Sequence, residues 1–458
     1  MNTDQIQTQA QSFWGRYGIF VKSILVGFLI LVLLIPTAFI QELVRERQQR
    51  QTEVINEVSS KWASEQIVTG PFLVIPYNEF RKDEKGQTYT VKKQIHYLPD
   101  VLEIDGKLFP EIRHRSIFKI VLYKSDLVVK GKFLPVPVAK LGLDPSTVLW
   151  NEIRLCVAIS DNRGIDEQLQ VNWNGTPVDM DPGIPSTDIS SSGVNALVNN
   201  GSEIKDKEQA FQFRIKLKGS ERLYFTPVGK KTTVQLQSNW TQPAFDGKFL
   251  PSQTPVVNND GFKANWTILH FTRDIPQIWT DQKVKVEDNA FGVQLLQGVD
   301  SYSKTMRAVK YALLFIALTF CLFFFIEVLK KKSVHPLQYV LVGLALCIFY
   351  ILLLSVSEYI RFDFAYLIAS IATIGLITFY IHSVFKNATV SAALFAFLSA
   401  LYGFIYILIQ LQDGALLFGS IGLFILLAVV MYYSRKIDWY GGKLVSTEPA
   451  EITVDEKQ

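Results

Sequence analysis

One apolar run near residues 19–40 and several more crowded into residues 311–433 limit what this chain can fold into. Runs of about 20 apolar residues cross ~30 Å of hydrocarbon at 1.5 Å per residue. The pattern predicts six membrane spans, at 19–40, 311–329, 338–357, 364–384, 390–410 and 415–433. Between the first and second lies a long stretch of ordinary charge density, so the chain is mixed: a membrane part and a large domain in water. At 458 residues and 49% hydrophobic, both parts are affordable.

Polar punctuation marks the span ends. Lys330-Lys331-Lys332, His335-Pro336, Glu358 with Arg361 and Asp363, Lys386-Asn387 and Asp413-Gly414 stand where helices must leave lipid. A charge at mid-bilayer costs about 2.5–3.5 kcal/mol on insertion scales, so such residues belong at boundaries.

Orientation follows from the positive residues of the short loops, which stay cytoplasmic. Lys330–Lys332, Lys386, and Arg435 with Lys436 fall on alternate sides of the chain's path. The other loops carry Glu358, Arg361 and Asp363, or Asp413 alone. Residues 1–18 and the tail 434–458 are therefore expected inside, and 41–310 outside. Arg45, Arg47 and Arg50 argue the other way, but a following domain this long translocates largely regardless of charge. The first span reads as an uncleaved signal anchor: it is too long for a signal h-region, Pro36 interrupts its end, and no small-x-small pattern precedes Gln41-Glu42. Upstream, Phe13, Trp14 and Tyr17 suit headgroup depth.

From residue 41 to 62 a charged, helical pattern continues as a stalk, with Val44, Val54, Val58 and Trp62 near 3.6-residue spacing. Gly70-Pro71 is expected to close it, and β sequence follows. Runs at Phe72–Ile75, Tyr89–Tyr97, Ile117–Tyr123, Ile153–Ile159, Phe211–Leu217 and Thr232–Leu236 are separated by turn residues, with Lys85-Gly86 and Asn174-Gly175 as the hairpin signals. Residues 181–208 read as a dividing loop. The echo of Gly131–Pro135 in Gly247–Pro251 allows either a duplicated sandwich-like unit or repeated turn chemistry.

Chemistry is sparse. Cys156 is the domain's lone cysteine, with Cys321 and Cys347 in spans, so no disulfide staples the domain. His96, His114, His270, His335 and His382 lack metal-ligand spacing and read as surface or turn residues. Ser116-Ile117-Phe118-Lys119, Ser160-Asp161-Asn162 and Lys231-Thr232-Thr233 imitate the motif order of penicillin-binding serine enzymes. That chemistry needs Ser and Lys on one helical face, whereas Arg115–Tyr123 alternates like a strand, and Thr233 replaces a required glycine. No catalytic, cofactor-binding or metal residue is assigned.

In the membrane part, Lys22, Glu327, Glu358 and His382 all lie near span ends, and none at a midplane. Ala392, Ala396 and Ala400 with Ser399 and Gly403, and Ala365 with Ala369, are expected to let helices approach closely.

The segments from Glu46–Gln48 to Gly70–Tyr77, with Arg115–Phe118, Ile159–Gly164, Lys310–Ile316, His335–Tyr339, Leu401–Phe404, Gly419–Phe424 and Arg435–Tyr440, resemble the CreD family of bacterial inner-membrane proteins. The resemblance covers nearly the whole chain. It implies a protein of the bacterial cytoplasmic membrane linked to cell envelope integrity and an envelope-stress or β-lactam-responsive regulon, and it supplies no catalytic residue. The expected fold is a membrane α-helical bundle plus a large β-rich, sandwich-like periplasmic domain. A non-enzymatic envelope role is favoured; a transporter or channel, and a periplasmic serine acyl-transfer enzyme, are the alternatives. The partners expected are the lipid bilayer and an envelope protein or component, not nucleic acid, with oligomeric state left open.

Overall fold

The computed structural model describes residues 3–198, 201–280, 282–295, 301–330, 334–411 and 414–435, and the side chains of 3–19, Gly201 and Tyr433 fall outside that description. Phe13, Trp14, Tyr17, Lys331, Lys332, Asp413 and Lys436 are therefore not placed. The chain divides into a helical unit, residues 1–49 with 299–458, and a β unit, residues 50–298.

In the helical unit, six helices are long and apolar enough to cross a membrane. Helix α1 (Thr3–Trp62) holds the first span and runs on through the stalk. It passes Pro36 without a break, although a proline removes one backbone donor. The rest are α3 (Ala312–Lys330), α4 (Pro336–Ser357), α5 (Phe362–Phe385), α6 (Ala388–Gln410) and α7 (Ala415–Ser434), preceded by a short amphipathic α2 (Ser301–Lys310). At the helix ends, His335 caps α4, Lys386 ends α5 in the left-handed region, and Asn387 caps α6. Helix α2 lies within the stretch expected to be β domain, yet it buries Tyr302, Thr305, Ala308 and Val309 among the helices.

Packing follows small residues only in part. Ala365 and Ala369 are buried, as close approach requires, but Ala392, Ala396, Ser399, Ala400 and Gly403 all face outward on α6. A Cβ at Gly343 of α4 would stand 2.1 Å from a Leu33 methyl, so this glycine is the socket for a knob on α1.

The β unit contains two sheets. The first runs β13 (Pro243–Gly247), β17 (Phe291–Leu295), β11 (Arg222–Thr226), β1 (Gln66–Lys82), β5 (Arg154–Ile159), β9 (Gly193–Leu197) and β8 (Asp181–Pro182), with β2 (Thr88–Tyr97) and β16 (Ile278–Thr280) branching from β1. The second runs β14 (Val256–Asn258), β15 (Gly261–Leu269), β12 (Lys231–Ser238), β3 (Val101–Arg115), β4 (Phe118–Phe133), β10 (Gln209–Ser220), β6 (Gln170–Trp173) and β7 (Thr176–Asp179). Pairing is antiparallel except for β1 with β11 and β12 with β3.

Alternation explains the second sheet. Leu102, Ile104 and Leu108 of β3 are buried while Glu103, Asp105 and Lys107 between them are exposed. Strands β1 and β5 instead carry continuous buried runs, as central strands covered on both faces do. One core collects both sheets, from Phe72, Leu155, Phe225 and Phe291 on one to Ile104, Leu127, Phe213 and Trp266 on the other.

Several expectations change here. Gly70-Pro71 does not end the helix; it lies inside β1, where the register shifts between Thr69 and Phe72, and a bulge tolerates both residues. Residues 181–208 are not only loop, since β9 pairs with β5 within them. The Gly131–Pro135 echo is not a structural repeat: Gly131 sits inside β4 of one sheet, whereas Gly247 ends edge strand β13 of the other with φ +102°. Asn174-Gly175 does form the β6–β7 hairpin, with both residues at positive φ.

Candidate functional site

The serine-enzyme motifs do not converge. Ser116 is not in a strand but in the two-residue turn between β3 and β4, at φ 55°. Lys231 pairs with Val101, at the other end of the same β3 strand. At about 3.3 Å per residue, that separates it from the Ser116 turn by roughly 45 Å. Ser160 spends its hydroxyl on the backbone, donating to Glu65 O at 2.8 Å and accepting from Ile67 N at 2.9 Å.

Asp161 and Arg163 have a different use, because they fasten the end of α1. Arg163 holds the Asp161 carboxylate with two parallel bonds, Nε to Oδ1 at 2.9 Å and Nη2 to Oδ2 at 2.7 Å, and its Nη1 donates to the Ser60 carbonyl. That carbonyl is one of the last four of the helix, which have no intrahelical donor. Asp161 also accepts from Ser64 N at 3.0 Å, just past the helix end. On the same turn, the Trp62 ring lies under the Arg113 guanidinium at 4.3 Å and the Lys218 ammonium at 5.4 Å.

The Arg163 guanidinium, helped by the backbone donors, outweighs partial burial and holds the Asp161 carboxyl at about 2. A lowered folded-state value means that the clamp's contribution is complete above the ordinary value near ~3.9 and is lost as pH falls through about 2. The full-length protein should therefore lose unfolding temperature between about pH 4 and pH 2. Asp161→Asn should start lower and show a shallower loss; an unchanged acid slope would remove Asp161 as its source.

Of the histidines, His96 departs from the surface reading. It is fully buried, with Nε2 at 2.9 Å from Ser186 Oγ and 3.9 Å from Asp188 Oδ2, and it stacks on Trp279 at 5.2 Å. Serine and carboxylate share one ring nitrogen, so this is not the relay of a hydrolase, where they occupy opposite nitrogens. Among the described residues no three His, Cys, Asp or Glu side chains gather to hold a metal ion.

Among the described residues of the helical unit, two polar centres stand out. At the first, Glu327 of α3 is 5% exposed and accepts from Lys22 Nζ of α1 at 2.5 Å, Val334 N at 3.0 Å and Tyr339 OH of α4 at 2.9 Å. At the second, Glu358 accepts from Tyr302 OH at 3.1 Å and lies 3.9 Å from Arg47 Nε of α1. Beside it, Asp363 accepts from Tyr406 OH at 3.0 Å and Gln410 Nε2 at 2.7 Å, with Lys304 Nζ at 3.9 Å.

Lys22 and Arg47 are about 38 Å apart along α1 at 1.5 Å per residue. The hydrocarbon is ~30 Å thick and the bilayer with headgroups ~40–45 Å, so for a helix along the bilayer normal this spacing matches headgroup depth on opposite faces. Lys22, Glu327 and Glu358 each read singly in the sequence as a charge near a span end. What was missed is the pairing, although Lys22 opens the first span and Glu327 closes the second, which puts opposite charges on one side.

These centres join helices: the first ties α1, α3 and α4, and the second ties α1 and α2 to the end of α4, with Asp363 joined to α6. The comparisons agree with a membrane assignment. The family model described as "Inner membrane protein CreD" matches residues 18–440. The chain is 32% identical over 435 residues to the Escherichia coli (strain K12) protein named "Inner membrane protein CreD", covering 93% of this chain and 95% of that one. With two-way coverage of that extent, the chain belongs to the CreD family of inner membrane proteins.

Proposed function

We propose that this protein is a non-enzymatic, multi-pass inner-membrane protein that contributes to envelope integrity or the envelope-stress response. In this reading residues 41–310 lie in the periplasm, both termini are cytoplasmic, and the β domain senses or binds an envelope component. The observation that carries it is α1: one unbroken helix bears Lys22, Leu33 and Arg47, each fastened within the helical unit, and Ser60 and Trp62, fastened within the β unit. A helix fastened in both units passes a change at either one to the other, which a mere anchor has no need to do. Loop charge supports the orientation.

The test is complementation in a strain lacking the protein. A chain ending near residue 310 with the first span retained should reach the membrane, display the β domain outside and fail to restore the phenotype. Full restoration by it would show that the remaining spans are dispensable and end the coupled reading. Flux of an ion or solute through purified protein in liposomes would favour transport instead, and a covalent penicillin adduct would revive the enzyme.

A further inference from the structure

The first polar centre of the helical unit opens onto a cavity of about 310 Å³ between α1 and the start of α4, lined there by Val334, His335, Pro336 and Tyr339. Its two halves differ. At one end stand Lys22, Glu327 and His335; along α1 follow Leu25, Val26 and Leu29, which descend the helix from the lysine into the apolar part of the span. A polar end at headgroup depth continued by an apolar wall is the outline of an amphiphile.

The exposed chemistry at the polar end decides the sign of its head. The Glu327 side chain is 6% exposed and already accepts three hydrogen bonds, whereas the Lys22 side chain is 41% exposed. A ligand entering the cavity therefore meets the cation, with the carboxylate turned inward. His335 adds a donor: its Nδ1 accepts from Leu337 N at 3.2 Å, which leaves the proton on Nε2. An ammonium and an N–H lining one end of a cavity suit a phosphate.

We propose that this cavity binds a phospholipid, with the headgroup phosphate beside Lys22 and His335 and an acyl chain along Leu25, Val26 and Leu29. The bound lipid fills the space between α1 and the start of α4 and covers the Lys22–Glu327 pair. Recognition lies in the phosphate, and the apolar wall separates a lipid from a free anion.

Delipidated full-length protein in detergent, titrated with phosphatidylglycerol and observed by native mass spectrometry, tests this. Phosphatidylglycerol should bind at least about fivefold more tightly than uncharged diacylglycerol of the same chains, the preference that one lysine at the surface supplies. Leu29→Trp, which fills the apolar wall and leaves the ion pair intact, should abolish that preference, and Lys22→Arg should keep it. Equal binding of diacylglycerol, or undiminished binding by Leu29→Trp, would overturn the proposal. So would inorganic phosphate displacing the lipid at comparable concentration, since that describes a soluble-anion site.

Discussion

Trp266→Ala is expected to destabilise the β unit by about 3–5 kcal/mol, the cost of emptying a large aromatic site in a packed core. Trp266 is fully buried on β15 and meets Phe245 at 5.9 Å and Phe291 at 5.6 Å, both on strands of the other sheet. Its indole thus bridges the two layers, and the cavity left by truncation cannot close without drawing the sheets together. The indole Nε1 has no hydrogen-bond partner, so Trp266→Phe loses volume alone and should cost about 1–2 kcal/mol. Thermal unfolding and protease resistance of the full-length variants in detergent measure both. A Trp266→Ala protein within ±0.5 kcal/mol of the parent would mean that this ring does not hold the layers together.

Lys22→Met should cost the helical unit about 2–3 kcal/mol, below the ~3–5 of a wholly buried pair because the lysine is half exposed. It strands the Glu327 carboxylate without its cation. Glu327→Leu should cost less on the charge side, since Lys22 can extend to the headgroups, but it leaves Tyr339 OH and Val334 N without their acceptor. The double variant Lys22→Met with Glu327→Leu should be more stable than Lys22→Met alone, because no ion is then left unpaired in apolar surroundings. Thermal stability of the three purified proteins gives the coupling directly. Additive losses would show that the two side chains do not act as a pair.

Much of this architecture can be read from residues alone, and the reasons differ by element. The spans are legible because a bilayer demands unbroken apolar runs, so that α3 to α7 begin and end beside the charges and turn residues that mark them. Strand β3 is not legible in the same way. Gly106 and Pro110 look like breakers, yet beyond Leu108 this strand pairs only with β4, where one side of the ladder is open and a proline is harmless. Gly70-Pro71 misleads for a related reason, since a bulge converts a helix stop into a bend within β1.

The candidate centres were visible as single charges and invisible as pairs. Nothing local says that Lys22 meets Glu327, because the partner lies 305 residues away; only the topology brings the two to one face. The outward stripe of Ala392, Ala396 and Ala400 shows the converse, in that small residues at helical spacing permit contact without causing it. Asp161 was seen within a false motif, and its bond to Arg163 two residues on could have been guessed from proximity.

The fastenings of α1 within the helical unit also set a length. Lys22 is held by Glu327, Leu33 sits against Gly343, and Arg47 is near Glu358, so the helix cannot slide by one 5.4 Å turn without breaking all three. The spacing of the two ion pairs is therefore a fixed caliper laid against the membrane. In a bilayer of matching thickness both pairs stay among headgroups. A thicker one draws at least one of them toward hydrocarbon, and a thinner one leaves apolar helix in water, at fractions of a kcal/mol per Å. Hydrophobic mismatch along α1 would then bear on two named ion pairs, of which the Glu358 pair, at 3.9 Å against 2.5 Å, is the looser.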